Sequence, residues 1–512
     1  MAKHPIKGTI DWFDDRLEVT KTIWPATAGH TVPANAKWWY VFGSATMAMF
    51  MMQLVTGICL ALVYVPSADH AWDSLIYLNF HQPLGWFLRS IHFWGSTAMA
   101  AMITIHMTQV FLFGAYKYPR ELTWVIGFFL LVCTFGIAFT GQVLRFDQDA
   151  YWGLGIGAAM MGRIPWIGPE IVDLILGGPI LGAQTLSRFF TLHVFVLPGA
   201  VLLLLFFHLY LVLRKGISEM PVAGKRVSKR TYEKKYFAEI ERTGVPFFPN
   251  AAKRDMIFIG ILILVVGIIA AVVGPHGPNG PPDPMIIYTT PRPDWYFMWI
   301  FSVLALLPRQ IETFLIMAAP VGFIVVFTCL PFWSGTGERH WRRRPAAVIV
   351  VILMYVSIGL LTYIGFPSPW SPHMMAGSGV VSPIEYYQGR SPLEMQGAVL
   401  FQYKECRNCH AIAGLGGQRG PDLSDVATRL TEDQLRRQII QGDGNMPAFG
   451  RNLKPAEVDA LVAYLHTLTP PGENPAQPPS RHEIPALDLP SSTAGGTTGN
   501  SSGRGASAPA RP

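Results

Sequence analysis

The sequence predicts an all-α protein: a seven-span transmembrane helical chain whose first four spans form a bundle, followed by a small exported helical domain. Three observations carry this. Of the 512 residues only 14% are charged and 50% are hydrophobic, with a mean hydropathy of +0.31. An ordinary soluble protein has about 25% charged residues, so a soluble enzyme and a disordered chain are both disfavoured. Seven apolar stretches reach the roughly 20 residues a helix needs to cross a bilayer. The composition then changes abruptly near residue 365.

Taken in order, residues 1–37 are polar and hold the run Asp11-Trp12-Phe13-Asp14-Asp15-Arg16. They carry no cleavable signal pattern, so the first span is expected to direct export. The spans lie near 38–65, 85–113, 124–143, 189–213, 256–274, 311–332 and 346–365. Pro198 and Pro320 fall inside spans, which membrane helices tolerate when neighbours satisfy the backbone. Loop charge sets the orientation. Lys and Arg number 22 in residues 1–37, 114–123, 214–254 and 333–345, against 5 in residues 66–84, 144–188 and 275–310. Basic loops stay cytoplasmic, so the N-terminus is expected inside and everything after residue 365 outside. The net charge of +7 thus reads as orientation beside anionic lipid, and no nucleic-acid partner is expected. The expected divisions are 1–37, an N-terminal cytoplasmic segment; 38–215, a four-helix bundle; 216–255, a basic cytoplasmic connection; and 256–365, three further spans. Then come 366–384, a linker; 385–469, the exported domain; and 470–512, a Pro-, Gly- and Ser-rich tail too poor in apolar residues to fold.

Four histidines give the bundle its chemistry. His92 and His106 lie fourteen residues apart in the second span, and His193 and His208 fifteen apart in the fourth. At 100° per residue, fourteen steps fall about 40° short of four turns and fifteen run about 60° past them, so each pair shares one face about 21–22 Å apart. The two spans run in the same direction. His92 therefore meets His193 near the outer surface, and His106 meets His208 near the inner one. Each pairing suits an iron porphyrin held edge-on, with neither axial position left open, as an electron carrier requires. Two non-covalent b-type haems are expected. Gly43, Gly57, Gly95, Gly136 and Gly141 are small enough to let a flat macrocycle approach.

Further motifs now take on a shape. They are Gly85-Trp86-Phe87-Leu88-Arg89-Ser90-Ile91-His92, Pro119-Arg120-Glu121-Leu122-Thr123-Trp124, and Asp147-Gln148 with Tyr151-Trp152. With the paired histidines, residues 10–365 resemble cytochrome b of the quinol-oxidising bc and b6f complexes. Pro293-Asp294-Trp295-Tyr296 resembles that family's Pro-Glu-Trp-Tyr motif at its outer quinol-oxidation site, in an aspartate form often met with menaquinol. Quinol oxidation releases protons, and a carboxylate such as Asp294 can take one outward. The resemblance implies that Tyr151 lines the same pocket with Tyr296, and it offers Arg89 as a haem-propionate partner, since a guanidinium fork suits carboxylates. Arg145 stands where the family commonly has proline. Arg214 and Lys215 are candidates for an inner quinone site. Val41 stands where the b6f-like branch has a cysteine that tethers an extra haem, so no tethered third membrane haem is expected.

Cys59, Cys133 and Cys329 lie singly in apolar runs, where a thiol acts as a small hydrophobe. Cys406-Arg407-Asn408-Cys409-His410 is different. It is the attachment motif of covalent c-type haem, with His410 as iron ligand. Gly444-Asn445-Met446-Pro447-Ala448-Phe449 resembles the sixth-ligand loop of class I cytochromes c, which makes Met446 the second axial ligand. Helices are expected over Leu393–Glu405 and Ala456–Leu468. Attachment of c-haem occurs outside the cytoplasm, in agreement with the loop count.

The expected function is a fused cytochrome b/c subunit of a quinol–cytochrome c reductase in a bacterial inner membrane. Quinol oxidation near Asp294 would send one electron to a partner and one through the bundle to quinone. All five cysteines are assigned, so the cluster must come from a Rieske iron–sulfur protein. The quinone pool and a downstream cytochrome c or terminal oxidase complete the partners, and the resemblance implies a homodimeric complex. A non-catalytic dihaem membrane anchor is the alternative, disfavoured by the Pro-Asp-Trp-Tyr motif and the three extra spans.

Overall fold

The computed structural model describes residues 5–68, 70–162, 164–177, 181–282, 291–307, 309–367, 381–404, 406–408, 410–416, 421–442, 446, 449–450 and 453–476. Cys409, most of the linker and most of the expected tail lie outside the described residues. The membrane part comprises α1 (Val41–Ala61), α2 (Gly85–Leu112), α3 (Glu121–Val143), α4 (Gln184–Lys215), α5 (Phe247–Val273), α6 (Trp295–Leu306), α7 (Arg309–Trp333) and α8 (Pro345–Gly365). Among the described residues six helices are long and apolar enough to cross a membrane: α1, α3, α4, α5, α7 and α8. The second expected span is α2. Its 28 residues reach about 42 Å at 1.5 Å each, but its histidines, Gln109 and threonines keep it less hydropathic than the other six.

One expectation needs correction. The Pro-Asp-Trp-Tyr motif does not sit wholly in a loop: from Trp295 onward it is the 12-residue apolar helix α6, which packs on α8. The run Trp295 to Leu306 has no Gly or Pro, so nothing prevents it from coiling.

Helices α1 and α2 pack together, as do α3 and α4, and α5 lies across α2 and α1. Lipid tails are as apolar as leucine, so close packing and buried polar contacts, not transfer from water, hold these helices together. Met49, Phe50, Met99, Leu130, Val201 and Val266 form one buried cluster at the centre. One member comes from each of α2 to α5 and two from α1. At one end of the bundle, helices Gln148–Gly162 and Gly168–Leu176 pack through Tyr151, Trp152 and Leu154 around Leu186 and Phe189 of α4.

The 216–255 connection is more than an orientation signal. Its helix Tyr232–Thr243 leads into β2 (Val245–Pro246), which pairs antiparallel with β1 (Thr31–Val32). Arg339 donates to Glu219 at 2.9 Å, and Tyr232 Oη donates to the same carboxylate at 2.7 Å. Arg120 donates to the Gly216 carbonyl at 2.8 Å and to Tyr232 Oη at 3.1 Å. Lys117 Nζ donates to the Thr336 carbonyl at 2.6 Å. Lys117, Arg120 and Arg339 are all buried, and burial of a charge demands such partners.

The C-terminal part holds α9 (Pro392–Tyr403), α10 (Glu432–Gln441) and α11 (Pro455–Leu465). Ser391 and Glu394 cap α9 reciprocally, with Pro392 at its first turn, and Thr431 and Gln434 do the same for α10; such boxes satisfy the backbone donors a helix start leaves open. Helices α9 and α11 cross closely. A Cβ on Gly397 would lie 1.9 Å from the Ala460 carbonyl oxygen, so only glycine fits.

Candidate haem and quinol-oxidation sites

The bundle brings His92 and His193 together. The rings of His92 and His193 lie 6.3 Å apart, centre to centre. A ring nitrogen sits about 1.1 Å from its ring centre and binds a metal at about 2.0 Å, so two imidazoles on one metal place their centres about 6.2 Å apart. The residues fit a bis-histidine iron. Second contacts fix the tautomers. Thr56 Oγ1 lies 2.8 Å from His92 Nδ1, and the Ile137 carbonyl accepts from His193 Nδ1 at 3.0 Å. With Nδ1 so engaged, Nε2 is left to face the metal. His106 and His208 are half-buried about four turns further along α2 and α4, with Nδ1 shielded from solvent in both.

Four glycines make room for these rings. A methyl added at Gly43 would press on His106, at Gly57 on His92, at Gly127 on His208 and at Gly141 on His193, each within 2.7–3.2 Å of Cε1. Gly43 and Gly57 are fourteen apart on α1, and Gly127 and Gly141 fourteen apart on α3. Sequence reasoning missed Gly127, although that repeat of fourteen was the available signal. Gly95 and Gly136 differ from these four: a Cβ there would meet Gln53 and Met52, and Leu197, respectively, and no imidazole.

The fifteen-residue step in α4 has a local cause. Leu192–Val196 is a π turn, closed by Leu197 N–H donating to the Leu192 carbonyl. A π turn holds one residue more than an α turn, so it absorbs the additional residue and returns His208 to the phase a fourteen-residue step would give. Pro198 follows directly, and a proline disturbs the regular ladder behind it.

One cavity extends from the His92–His193 pair toward the Pro-Asp-Trp-Tyr motif. Its walls include Gly57, His92, Phe93, Gly141, Arg145, His193, Asp294 and Tyr296. Asp294 stands at the start of α6 but its side chain makes no cap bond. Instead its Oδ2 accepts from Tyr296 Oη at 2.7 Å, and its backbone N–H reaches Gln142 Oε1 at 3.4 Å. Tyr296 is buried, whereas Trp295 is 42% exposed and Pro293 half-buried. Arg89 also borders the cavity, with its guanidinium on the His276 and Gly277 carbonyls at 2.7 and 2.5 Å. Tyr151 lies beside this region. It is buried in an adjoining core, packed against Phe146 and Trp152. Lys215 pairs with Glu233 at 2.8 Å. Val41 is buried at the start of α1.

In the C-terminal part, Cys406 and Met446 both pack against the core of Phe401, Ile412, Leu435 and Leu461. His410 is buried, and its Nδ1 lies 2.9 Å from the Pro421 carbonyl. That contact orients the ring and leaves Nε2 for iron. The donor set of thiol, imidazole and thioether fits a c-type haem.

Residues 27–216 match the family described as Cytochrome b/b6/petB, and residues 281–382 match Cytochrome b(C-terminal)/b6/petD. A menaquinol:cytochrome c reductase cytochrome b subunit of Geobacillus thermodenitrificans is 38% identical over 216 residues, 41% of this chain and 96% of the relative. The chain belongs to the cytochrome b/b6 family. Cytochrome b of Rhodobacter capsulatus is 29% identical over 395 residues, spanning 72% of this chain and 87% of the relative. The solved structure of a hyperthermophilic respiratory Complex III superposes with a TM-score of 0.59 at 27% identity, covering 70% of this chain and 92% of that one. Residues 392–465 match Cytochrome C oxidase, cbb3-type, subunit III. The protein is thus a cytochrome b/c fusion, an integral membrane protein, and its cofactors are haems.

Proposed function

We propose that this cytochrome b/c fusion is the quinol-oxidising subunit of a quinol–cytochrome c reductase. The observation that carries the reading is the one cavity joining His92 and His193 to Asp294 and Tyr296. His92 with His193, and His106 with His208, hold two b-haems; Cys406, Cys409, His410 and Met446 hold a c-haem. When bound, these groups supply one-electron carriers at the two membrane levels and in the exported part. The reaction class is bifurcated quinol oxidation, with one electron passing to a Rieske partner and the c-haem and one crossing toward inner quinone. The N-terminus is inside, as the loop charges argue. Menaquinol is the favoured substrate, supported by the aspartate motif and by the activity named for the Geobacillus relative.

The chain's own residues do the proton chemistry. The Asp294 carboxylate receives a quinol proton, and Tyr296 Oη, donating to Oδ2, orients it. The buried cluster of Met49, Met99, Leu130 and Val201 separates the two histidine levels. Ser44, next to Gly43, donates to the Asp255 carboxylate at 2.7 Å. In the assembled complex, Asp294→Asn is expected to slow quinol-driven haem reduction by about 10²-fold, the low end for a lost general base. Dithionite reduction should be unchanged, and Asp294→Glu should keep much of the rate. Wild-type quinol turnover in Asp294→Asn, with quinol oxidation rate-limiting, contradicts the role. Absence of a Rieske protein from the purified complex would favour a dihaem anchor instead.

A further inference from the structure

We propose that Thr56 and Thr140 set the reduction potential of the haem held by His92 and His193, as positioning residues that act through the two imidazoles. This rests on the bis-histidine reading above and deepens it.

The four glycines that admit the rings sit in two kinds of sequence. Thr56-Gly57 and Thr140-Gly141 serve His92 and His193, whereas Phe42-Gly43 and Ile126-Gly127 serve His106 and His208. The rings approach all four glycines alike, through Cε1, so the residue before each glycine occupies the same place beside its ring. At one pair that place holds a hydroxyl twice, and at the other it holds none. Thr56 Oγ1 lies 2.8 Å from His92 Nδ1, and Thr140 Oγ1 lies 3.1 Å from His193 Nδ1. Both threonines are buried, so water does not compete for these contacts. Phe42 turns toward Phe258, ring centres 5.7 Å apart, and the Ser44 hydroxyl is committed to Asp255. Backbone carbonyls do not draw the same distinction. The Ile137 carbonyl, four residues before Gly141, accepts from His193 Nδ1 at 3.0 Å, and the Thr123 carbonyl, four before Gly127, faces His208. The hydroxyl is what differs.

The direction of each bond follows from the hydroxyl's other partner. Thr56 Oγ1 donates to the Met52 carbonyl at 2.7 Å, and Thr140 Oγ1 to the Ile137 and Gly136 carbonyls at 2.9 and 3.0 Å. A hydroxyl has one proton and two lone pairs, so toward the ring each oxygen can only accept. Nδ1–H therefore donates, which leaves Nε2 for iron. An oxygen whose own proton is engaged accepts more strongly, and a dry surrounding strengthens the contact further. Drawing on the Nδ1 proton makes Nε2 a more basic ligand. A more basic ligand favours ferric over ferrous iron, so the potential falls; hydrogen bonding beyond the ligands is one of the levers a protein has on a haem. The electron supplied by quinol oxidation passes on toward the His106–His208 level, while the shared proton stays on Nδ1 throughout. The threonines thus shift an equilibrium and move no proton.

The test is a redox titration of the b-haems in the assembled complex, read from their optical spectra. Valine keeps the shape of threonine without the hydroxyl. Thr56→Val together with Thr140→Val is expected to make the His92–His193 haem about tenfold easier to reduce, as the loss of two modest hydrogen bonds allows; for one electron that is an upward shift of about 59 mV. The His106–His208 haem should not move. Thr56→Ser together with Thr140→Ser keeps both hydroxyls and should titrate as wild type. Ile126→Thr places a hydroxyl before Gly127 and should lower the potential of the His106–His208 haem, which decides the matter if the valine variant fails to hold its haem. An unshifted His92–His193 haem in the valine variant, equal shifts of both haems, or an unshifted potential in Ile126→Thr overturns the proposal. If His92→Leu removes no b-haem from the complex, the bis-histidine reading itself fails; if it removes one and the valine variant still titrates as wild type, only the role of the threonines fails.

Discussion

Single atoms decide the haem sites. Gly141 is the tightest of the four glycines: a methyl there would meet His193 Cε1 at 2.7 Å, closer than real contacts allow, and the ring is already held by the Ile137 carbonyl. Gly141→Ala should therefore lower outer b-haem occupancy and leave the inner signature in place. Gly136→Ala is the control, since its methyl would make ordinary contact with Leu197 at 3.6 Å. Haem content and the reduced-minus-oxidised spectrum of the two variants check this, and equal occupancy in both would contradict it. The histidines were legible in the sequence because their fourteen- and fifteen-residue steps are a property of one helix. Gly127 was legible only through its fourteen-residue step to Gly141, because a glycine by itself reads the same whether it faces a ring or a neighbouring helix. The Arg145–His276 contact was not legible, since it joins residues 131 positions apart.

At the scale of elements, the network around Glu219 fastens the 216–255 connection to the loop before α8. Breaking a buried ion pair by removing one partner costs about 3–5 kcal/mol. Arg339→Ala leaves Glu219 buried without its guanidinium, and thermal unfolding of the complex should fall accordingly; Glu219→Gln in the same background should recover part of the loss. Burial works to raise the Glu219 carboxyl, but Arg339 and the Tyr232 hydroxyl outweigh it and hold it below the usual carboxylate range. The stabilisation is thus complete above about pH 4.5 and is lost as the pH falls through the lowered folded value. A melting temperature of wild type that does not drop over that acid range relative to Glu219→Gln would count against it. Loop basicity alone predicted orientation here, not pairing: which of the cations are buried depends on contacts such as Lys117 with Ser334, far apart in the chain. The π turn of α4 was hidden for another reason. Periodicity counts residues, and only the backbone shows that one of them is absorbed.

Over the whole molecule, most of the architecture followed from hydropathy, loop charge and one break in composition. The exception is α6, too short to announce itself as a span and too apolar to be a loop. The separation of the histidine levels by the Met49–Met99 cluster makes the two pairs independent sites. His208→Leu should remove the inner b-haem signature and spare the outer one; loss of the outer signature alone would reverse the assigned pairing. Haem stoichiometry on the purified complex tests the three-haem assignment most directly. Acid–acetone should extract two b-haems per chain and leave one covalent c-haem, in line with two histidine pairs, one Cys-x-x-Cys-His motif and Val41 in place of a tether. One extractable haem, or two that resist extraction, would contradict it.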